Sequence, residues 1–385
     1  MPSPQTLYHA LAARQDALVD ELRGYVSVES GSRDKAGVDR VGRLAAERFG
    51  ALGFSVERIP EPHCGDHLVA RRSGTGRGRL LALIHLDTVW PAGTLAENPF
   101  RIIDGRAYGP GVLDMKGGWV VLRAALQALD ESGWDGPSSL TVFMTGDEEL
   151  GSPRGRPWIE RAAREADWAL VMEPARENGD VVVARGMVGA VYLDVAGVTS
   201  HATFPDRGAS AIRDLAHKVL ELEALSDPAR GVLVNVGTIE AGSARQVIPD
   251  RARASVDVRA PSPELAETLM AAIREIAARV HVPGTHATLT GGITRPAFAL
   301  SGASERLFDL ARRTGRELEM EFGGQTARAG SDGNFTAALG VPTLDGLGPE
   351  GANGCARDEY VVLDSLPRRA ALLAGIIAGL PGLLG

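Results

Sequence analysis

Polar residues that can bind a cation or move a proton follow several short apolar runs of this chain. The run Leu80–Ile84 has the length of a buried strand and is followed at once by His85 and Asp87. Asp114 comes next, within GPGVLDMKGG, and two further runs end in GDEE and MEP. Because open α/β sheets bind ligands at the carboxyl ends of their parallel strands, we expect these side chains to converge.

Imidazole and carboxylate groups at such strand ends are the ligands that zinc prefers. Two zinc ions a few ångströms apart also need a carboxylate that bridges them. A single strand-end acid more often caps a helix or binds a loop, but the adjacent acids of GDEE would be costly beside a core unless paired. The pattern therefore predicts a metal centre, with four candidate ligands: His85, Asp114, Glu149 and Glu173.

Length and composition limit the classes of protein that the chain can belong to. A length of 385 residues predicts two or three domains, and 44% hydrophobic with 23% charged residues is typical of soluble globular proteins. A net charge of −8 argues against nucleic acid or an anionic membrane as the main partner. Only two cysteines, Cys64 and Cys355, make a disulfide scaffold implausible and favour the cytoplasm.

The two ends of the chain carry no predicted signal or anchor. The N-terminal stretch lacks a basic start followed by an apolar core, so no signal peptide is expected. The apolar tail ALLAGIIAGLPGLLG is short for a membrane span and contains Pro381, which favours a packed final helix.

Periodicity predicts an α/β protein that is interrupted by a second domain. Residues 6–26 have the spacing of one amphipathic helix, and strands then alternate with helices as far as Met172. RRSGTGRGR, residues 71–79, is the expected loop of a hairpin, and a strand is predicted at Leu318–Phe322.

From about residue 186 the predicted order is β-α-β-β-α-β, the split unit of ferredoxin-like domains. We therefore predict an α/β fold with a discontinuous catalytic domain, residues 1–185 and 296–385, whose mixed sheet is covered by helices. Residues 186–295 would form an inserted ferredoxin-like α+β domain for dimerisation.

Seven segments together resemble one family along almost the whole chain, in the same order: IHLDTV, GPGVLDMKGG, TGDEELGS, VMEP, TSHATFPDRGASAI, VIPDRARASVDVR and GSDGNFTAALGVPTLDGLG. They look like the zinc-dependent metallopeptidase superfamily of glutamate carboxypeptidase, acetylornithine deacetylase, succinyl-diaminopimelate desuccinylase and aminoacylase. The glutamate carboxypeptidase branch is the most similar.

The resemblance implies a role for each matching residue of the metal centre. His85 would bind one of two zinc ions, with Asp87 orienting its ring, and Asp114 would bridge the ions next to a cis peptide. Glu149 would bind one ion and Glu173 the other.

Catalysis and substrate binding would involve further residues. Glu148 would be the general base that takes a proton from the bridging water and hands it to the leaving amine. His201 would reach the active site of a neighbouring subunit in a homodimer and stabilise the oxyanion, although its position alone suggests a turn histidine. The expected substrate contacts are Arg259, Gln246 and Ser331. Arg259 could equally form a surface ion pair.

Three positions depart from the family pattern. Gln246 stands where Asn is usual, and Thr203 follows SHA where Gly is usual. Cys355 occupies the place of the last metal-binding histidine, four residues before Glu359. A cysteine thiolate binds zinc well but adds negative charge, so we expect two unequal ions. The alternative is an unligated Cys355 with a weak or absent second metal.

The implied function is amide hydrolysis by a dinuclear zinc enzyme. The substrate would be a small peptide that loses its C-terminal amino acid, of the glutamate type, or an N-acyl amino acid. Two alternatives remain: a specialised biosynthetic amidohydrolase or acyl transferase, and a catalytically impaired homologue.

Overall fold

The computed structural model describes residues 3–384, which divide into two compact units. The first unit runs to Ala184 and also contains Leu300–Thr326 and the chain from Ser331 onward. The second unit comprises Arg185–Ala299 and the short return segment Ala327–Gly330, which lies outside the predicted bounds 186–295.

A six-stranded mixed sheet forms the centre of the first unit. Its middle strand, Arg79–His85, is apolar and buried from Leu80 onward, as expected for a strand covered on both faces. This strand runs parallel to both of its neighbours, so their carboxyl ends share one edge. The strand order is Ser55–Ile59, His67–Ser73, Ser139–Thr145, Arg79–His85, Trp168–Val171 and Thr343–Leu344.

Helices cover this sheet, and a smaller four-stranded sheet lies within the same unit. The α-helices are Pro4–Ala12, Gln15–Val26, Lys35–Gly50, Thr94–Glu97, Gly117–Glu131, Arg156–Arg164, Gly302–Glu317, Gly333–Ala338 and Ser365–Gly379. The smaller sheet contains Arg101–Ile103, Arg106–Tyr108, Gly351–Ala352 and Tyr360–Val362. Two further strands are Val181–Arg185 and Gly324–Ala327.

The final helix is buried in the first unit, where it packs against Gly117–Glu131 and Pro4–Ala12. By length and composition, Ser365–Leu383 could cross a membrane, but 61% of its apolar window is buried inside the protein. Such burial is what a core helix of a globular unit requires, in agreement with the predicted packed helix.

The second unit has the predicted β-α-β-β-α-β order. Its antiparallel sheet is ordered Leu233–Ala241, Arg251–Ala260, Met187–Ala196 and His286–Arg295. Val191, Leu193 and Val195 alternate onto a buried face, because successive side chains of a strand point to opposite sides of the sheet. Helices Ala211–Glu223 and Pro263–Ala278 pack on the sheet, and short strands Ser200–His201 and Val247–Ile248 pair beside it.

Three local predictions were wrong. Residues 6–26 form two helices, which are broken at Arg14, where the backbone leaves the helical region without a Gly or Pro to signal it. The segment Leu318–Phe322 is no strand, because the N–H groups of Leu318 and Met320 donate to the carbonyl of Gly315 and close the preceding helix. The loop at residues 71–79 closes no hairpin, because strand Ser139–Thr145 lies between the two strands that it joins.

Candidate metal centre

His85 lies at the carboxyl end of the central strand, with a side chain that is almost completely buried. Its Nδ1 lies 2.9 Å from the main-chain carbonyl of Asp87, which can only accept a hydrogen bond. Nδ1 therefore carries a proton. On the other side, Nε2 lies 3.1 Å from Asp114 Oδ1 and 3.8 Å from Glu173 Oε1. In its neutral form the ring thus points an unprotonated Nε2 toward two carboxylates, as a metal ligand must.

The predicted ligands form two triads that share one residue. His85, Asp114 and Glu173 make the first triad, which we call the histidine triad; in each triad the ligand atoms lie within 4.8 Å of one another. Asp114, Glu149 and Cys355 make the second, the cysteine triad. Both belong to the first unit. A carboxylate common to two sets of donors is the arrangement that a dinuclear centre requires.

Asp114 lies in the irregular turn Val112–Lys116, directly before helix Gly117–Glu131. The Asp114–Met115 peptide is cis, as the resemblance implied. The turn is fixed against the central strand, because the N–H of His85 donates to the sulfur of Met115 and the indole of Trp119 donates to the carbonyl of His85. These contacts place Asp114 opposite the end of the strand.

The carboxylate of Asp87 organises the neighbouring acids. It accepts hydrogen bonds from the main-chain N–H groups of Glu148 at 3.0 Å and Glu149 at 3.2 Å, and from the hydroxyl of Ser32 at 2.7 Å. Its Oδ1 also lies 3.5 Å from His85 Nδ1, farther than the main-chain oxygen. Asp87 therefore fixes the backbone of the GDEE turn, and it holds His85 mainly through its carbonyl.

The charges of the two triads call for a cation. Burial would lower the pKa of His85, but hydrogen bonds to Asp114 and Asp87 outweigh burial and raise it well above its usual value. Burial and the nearby Asp114 raise the pKa of Glu149 to about 9. Glu149 Oε1 is buried and has no hydrogen-bond partner among the described residues. An orphaned carboxylate oxygen among oxygen, nitrogen and sulfur donors fits zinc.

Cys355 occupies an unusual backbone conformation. Its φ of +64° is in the left-handed region, which is disfavoured for cysteine. The carboxylate of Glu359 holds this turn by accepting the N–H of Cys355 at 3.0 Å. The sulfur lies 3.5 Å from Asp114 Oδ2, and desolvation together with the neighbouring Asp114 raises the pKa of the thiol. A strained residue that brings sulfur to the shared carboxylate suggests a function for that sulfur.

His201 and Gln246 are neighbours on the surface of the second unit. Strand Ser200–His201 pairs with Val247–Ile248, and the N–H of Ala202 donates to the carbonyl of Gln246. The N–H of Thr203 donates to Nδ1 of His201 at 3.3 Å, and the hydroxyl of Thr203 lies 2.8 Å from the same atom. Nδ1 is thus an acceptor, so the neutral ring carries its proton on Nε2. Thr203, a departure from the family pattern, leaves His201 an N–H donor.

The other two expected substrate contacts have partners inside the protein. In the second unit, Arg259 donates to Asp257 at 2.9 Å and to the carbonyl of Arg328 at 3.2 Å, which is the ion-pair alternative considered from the sequence. In the first unit, Ser331 is fully buried, and its hydroxyl donates to Asp345 at 2.6 Å. In this geometry the hydroxyl of Ser331 is engaged inside the protein, and its contact with substrate stays a prediction.

A further cluster of possible ligands, Cys64, His67 and Asp147, is buried nearby. The N–H of Gly146 donates to Nδ1 of His67 at 3.0 Å, so the neutral ring must carry its proton on Nε2. Both oxygens of Asp147 accept main-chain N–H groups, from Arg154 and Gly155. Neither ring nitrogen of His67 then has a lone pair for a metal, and the cluster is a structural one.

Ser32 and Glu359 are two positioning residues to which sequence reasoning gave no role. Glu359 could have been recognised, because the resemblance places an acid four residues after the candidate ligand Cys355. Ser32 carries no local signal, since it reaches Asp87 from 55 residues away in the chain. Ser32 therefore reaches the site only through the fold, whereas Glu359 is local to Cys355.

Comparison with known proteins agrees with this geometry. Residues 81–379 match the description Peptidase family M20/M25/M40. The chain is 31% identical over 384 residues to carboxypeptidase G2 of a Pseudomonas species, covering 97% of this chain and 92% of that protein. It is 29% identical over 368 residues to succinyl-diaminopimelate desuccinylase of Gluconacetobacter diazotrophicus, covering 89% and 92%.

Solved structures show the same fold at lower identity. A tripeptidase from Staphylococcus aureus has a TM-score of 0.76 at 22% identity, covering 96% of this chain and 99% of that one. A metallo-carboxypeptidase from Sulfolobus solfataricus has a TM-score of 0.73 at 16% identity, covering 94% and 99%. With the match over residues 81–379 and the relative at 31% identity, this chain belongs to peptidase family M20/M25/M40 and is a hydrolase of amide bonds.

Proposed function

We propose that this protein is a dinuclear zinc hydrolase with one ion in each triad. It would remove a C-terminal amino acid, of the glutamate type, from a small peptide, or release an amino acid from its N-acyl derivative. The observation that carries the proposal is the pair of donor triads that share Asp114, beside the adjacent acids Glu148 and Glu149. The likeness to carboxypeptidase G2 over 97% of the chain supports the carboxypeptidase reaction.

Different residues of this chain would bind the metal ions, transfer the proton and position the general base. His85, Asp114, Glu149, Glu173 and Cys355 would hold the zinc ions. Bound zinc polarises a carbonyl and lowers the pKa of water. Glu148 takes a proton from the attacking water and gives it to the leaving amine. Asp87 keeps Glu148 in place, because it binds the main-chain N–H of that residue at 3.0 Å.

We assign the remaining substrate contacts to the second unit. The Nε2–H of His201 would donate to the oxyanion, and Gln246 would contact the substrate beside it. Arg259 would bind the carboxylate of the substrate once its guanidinium exchanges Asp257 for that carboxylate. We further propose a cytoplasmic homodimer that forms through residues 186–295, in which each His201 serves the site of the partner.

A second candidate is biosynthetic deacylation, in which the acyl group is specific. The desuccinylase relative, at 29% identity over 89% of the chain, favours this candidate over an acyl transferase or an impaired homologue. Both leading candidates use one chemistry, and they differ only in the acyl group and the amino acid released.

The test combines metal content with hydrolysis. Purified protein loaded with zinc should contain two ions per chain by elemental analysis and should hydrolyse members of a panel of N-acyl amino acids and dipeptides. Glu148→Gln should retain both ions and lose about 10²–10⁴-fold in kcat, the usual effect of removing a general base. The control is Glu165→Gln, because Glu165 is exposed. Absence of zinc together with absence of turnover would refute the proposal.

The proposed role of His201 in the partner's site has its own test. Glu148→Gln and His201→Ala should each be inactive, but subunit exchange between them should restore about one quarter of the wild-type activity per site. Only mixed dimers contain a site with both groups, and they contain one. If each His201 served its own subunit, mixing would restore nothing.

A further inference from the structure

A cavity of about 440 Å³ opens beside the cysteine triad, within the first unit, and no role has been assigned to it. Glu149, one of the candidate ligands, lines it directly. The other walls are mainly apolar and include Val89, Trp90, Pro91, Ala92 and Leu150. A cavity of this size and lining, in contact with a reactive centre, has the character of a small-molecule subsite.

The backbone around the cavity is tightly built. Gly31 forms a parallel bridge with Thr88, and the N–H of Ser32 donates to the carbonyl of Thr88 at 3.0 Å. A Cβ at Gly31 would lie 2.2 Å from the main-chain oxygen of Trp90, so only glycine allows this approach. The loop that carries Val89 and Trp90 is therefore held against the segment that contains Ser32.

The far end of the same loop is also fixed. The carboxylate of Glu29 accepts the N–H groups of Gly93 at 2.9 Å and Leu95 at 2.8 Å. These two hydrogen bonds lower the pKa of Glu29, as expected for a carboxylate that binds main-chain N–H groups. With both ends of the loop anchored, the wall of the cavity is formed before any ligand binds, which reduces the entropy cost of binding.

The apolar wall is accessible to solvent. Val89 and Leu150 are each 44% exposed, although the core of this unit is well packed. The indole Nε1 of Trp90, by contrast, is buried and has no acceptor among the described residues. Val89 and Leu150 line the same cavity, and exposed apolar side chains that are grouped in this way are typical of a ligand-binding surface.

We propose that this cavity, the acyl pocket, binds an apolar acyl chain on the carbonyl side of the scissile amide. The inference deepens the proposed function and depends on it. In either candidate reaction the amino-acid half of the substrate carries a carboxylate, which an apolar pocket cannot solvate. The acyl half need carry no charge, so it suits the lining. The substrates would then be N-alkanoyl amino acids, or peptides with an apolar residue before the cleaved bond.

Arg33 favours a different ligand, an acyl chain that carries a negative charge. It is the basic side chain among the described lining residues, and it is exposed. Asp34, its neighbour, is engaged by Arg40 and by the N–H of Gly37. No ion pair engages the guanidinium of Arg33 among the described residues, and a guanidinium at the rim would suit an acyl chain that ends in a carboxylate, such as succinyl. The test must therefore separate an apolar chain from an anionic one.

The experiment measures kcat/KM of the zinc-loaded enzyme for acetyl, butanoyl, hexanoyl and octanoyl derivatives of the amino acid that is released fastest. We expect kcat/KM to rise about two- to fourfold per methylene until the pocket is full. Val89→Asp and Leu150→Asp should abolish this rise, because each places a charge in the pocket. Ile103→Asp is the matched control, since Ile103 is 48% exposed and does not line the pocket; it should keep the rise.

Several outcomes would overturn the acyl pocket while leaving amide hydrolysis intact. One is a flat dependence on chain length, and another is a rise that survives both aspartate variants. A third is faster hydrolysis of the succinyl than the butanoyl derivative, lost in Arg33→Ala, which would assign the pocket to an anionic chain.

Binding gives a readout that needs no turnover. N-octanoyl-glutamate should change the tryptophan fluorescence of the wild type at lower concentration than N-acetyl-glutamate, and Trp90→Phe should remove most of the change. If this difference is found but the enzyme hydrolyses nothing, the proposed function fails, and the cavity is then a binding site for apolar acyl chains without a role in hydrolysis. Equal binding of the two compounds would refute the pocket.

Discussion

The histidine triad and the cysteine triad share Asp114 but differ in how the fold supports them. His85 and Glu173 are buried at the carboxyl ends of two neighbouring parallel strands, His85 as the last residue of one and Glu173 two residues beyond the other. Cys355 lies on an exposed turn, at a φ of +64°, and Glu359 holds its N–H. One triad is thus built into the sheet, whereas the other is completed by a loop.

This difference suggests which triad tolerates change. A ligand at the end of a core strand cannot be replaced without a cavity or an unpaired charge, because its surroundings are close-packed. A ligand on a turn needs only a side chain that reaches the metal. The proposed replacement of histidine by Cys355 would fall at the turn, where substitution costs least, and the two donor sets are chemically unequal.

The largest effect should come from the residue common to both triads. Asp114→Asn should weaken both zinc sites and lower kcat/KM by at least about a thousandfold, since an amide is a poor bridging ligand. Metal content and turnover should fall together. Asp135→Asn, at an exposed position, is the control. Retention of two ions in Asp114→Asn would contradict the shared-carboxylate arrangement.

Removal of one ligand from each triad should lower activity less than Asp114→Asn does, and the loss should differ between the two triads. His85→Ala should remove one ion and lower kcat/KM by roughly a hundredfold or more, whereas Cys355→Ala should weaken the second ion and cost roughly tenfold. With cobalt in place of zinc, the wild type should show a sulfur-to-metal charge-transfer band that Cys355→Ala lacks. The band reports ligation whatever the activity.

Restoring histidine completes this comparison. Cys355→His should retain two zinc ions and turn over faster. A neutral imidazole donates less charge to zinc than a thiolate does, so the ion remains a stronger Lewis acid. If the wild type binds one ion without turnover and Cys355→His becomes active, then Cys355 is no working ligand and the second triad is incomplete in the natural protein.

The same contrast explains what could be read from the sequence. The ends of parallel strands are predictable, because an apolar run followed by His85 or GDEE fixes both the element and the edge where its ligands lie. The β-α-β-β-α-β order of the inserted domain was predictable as well. The periodicity of apolar residues within each segment indicates whether that segment is a strand or a helix.

Contacts that depend on distant segments could not be read in this way. The hydrogen bond from Ser32 to Asp87, and the strand that separates residues 67–73 from 79–85, have no local signature. Ser331 lies in a family motif, yet its burial beside Asp345 is decided by packing. The ion pair of Arg259 was foreseen only as an alternative.

The smallest expected effect concerns the strained turn of the cysteine triad. Without metal, Cys355→Gly should raise the free energy of unfolding by up to about 1 kcal/mol, because glycine adopts a φ of +64° without the steric cost that cysteine bears. Asn353→Gly is the matched control at φ +61°, and its gain should be smaller, since asparagine tolerates this region better. Urea denaturation in the presence of a chelator measures both.

Adding zinc should reverse the order of stability of Cys355→Gly and the wild type. Ligands that bind only the folded state stabilise it in proportion to the logarithm of their affinity, so the wild type should gain more from zinc than a variant without the sulfur. Asn353→Gly should gain as much as the wild type. If Cys355→Gly gained equally, the strained conformation would have no role in metal binding. The histidine triad would then be the one complete metal site, and the turn at Cys355 would bind no ion.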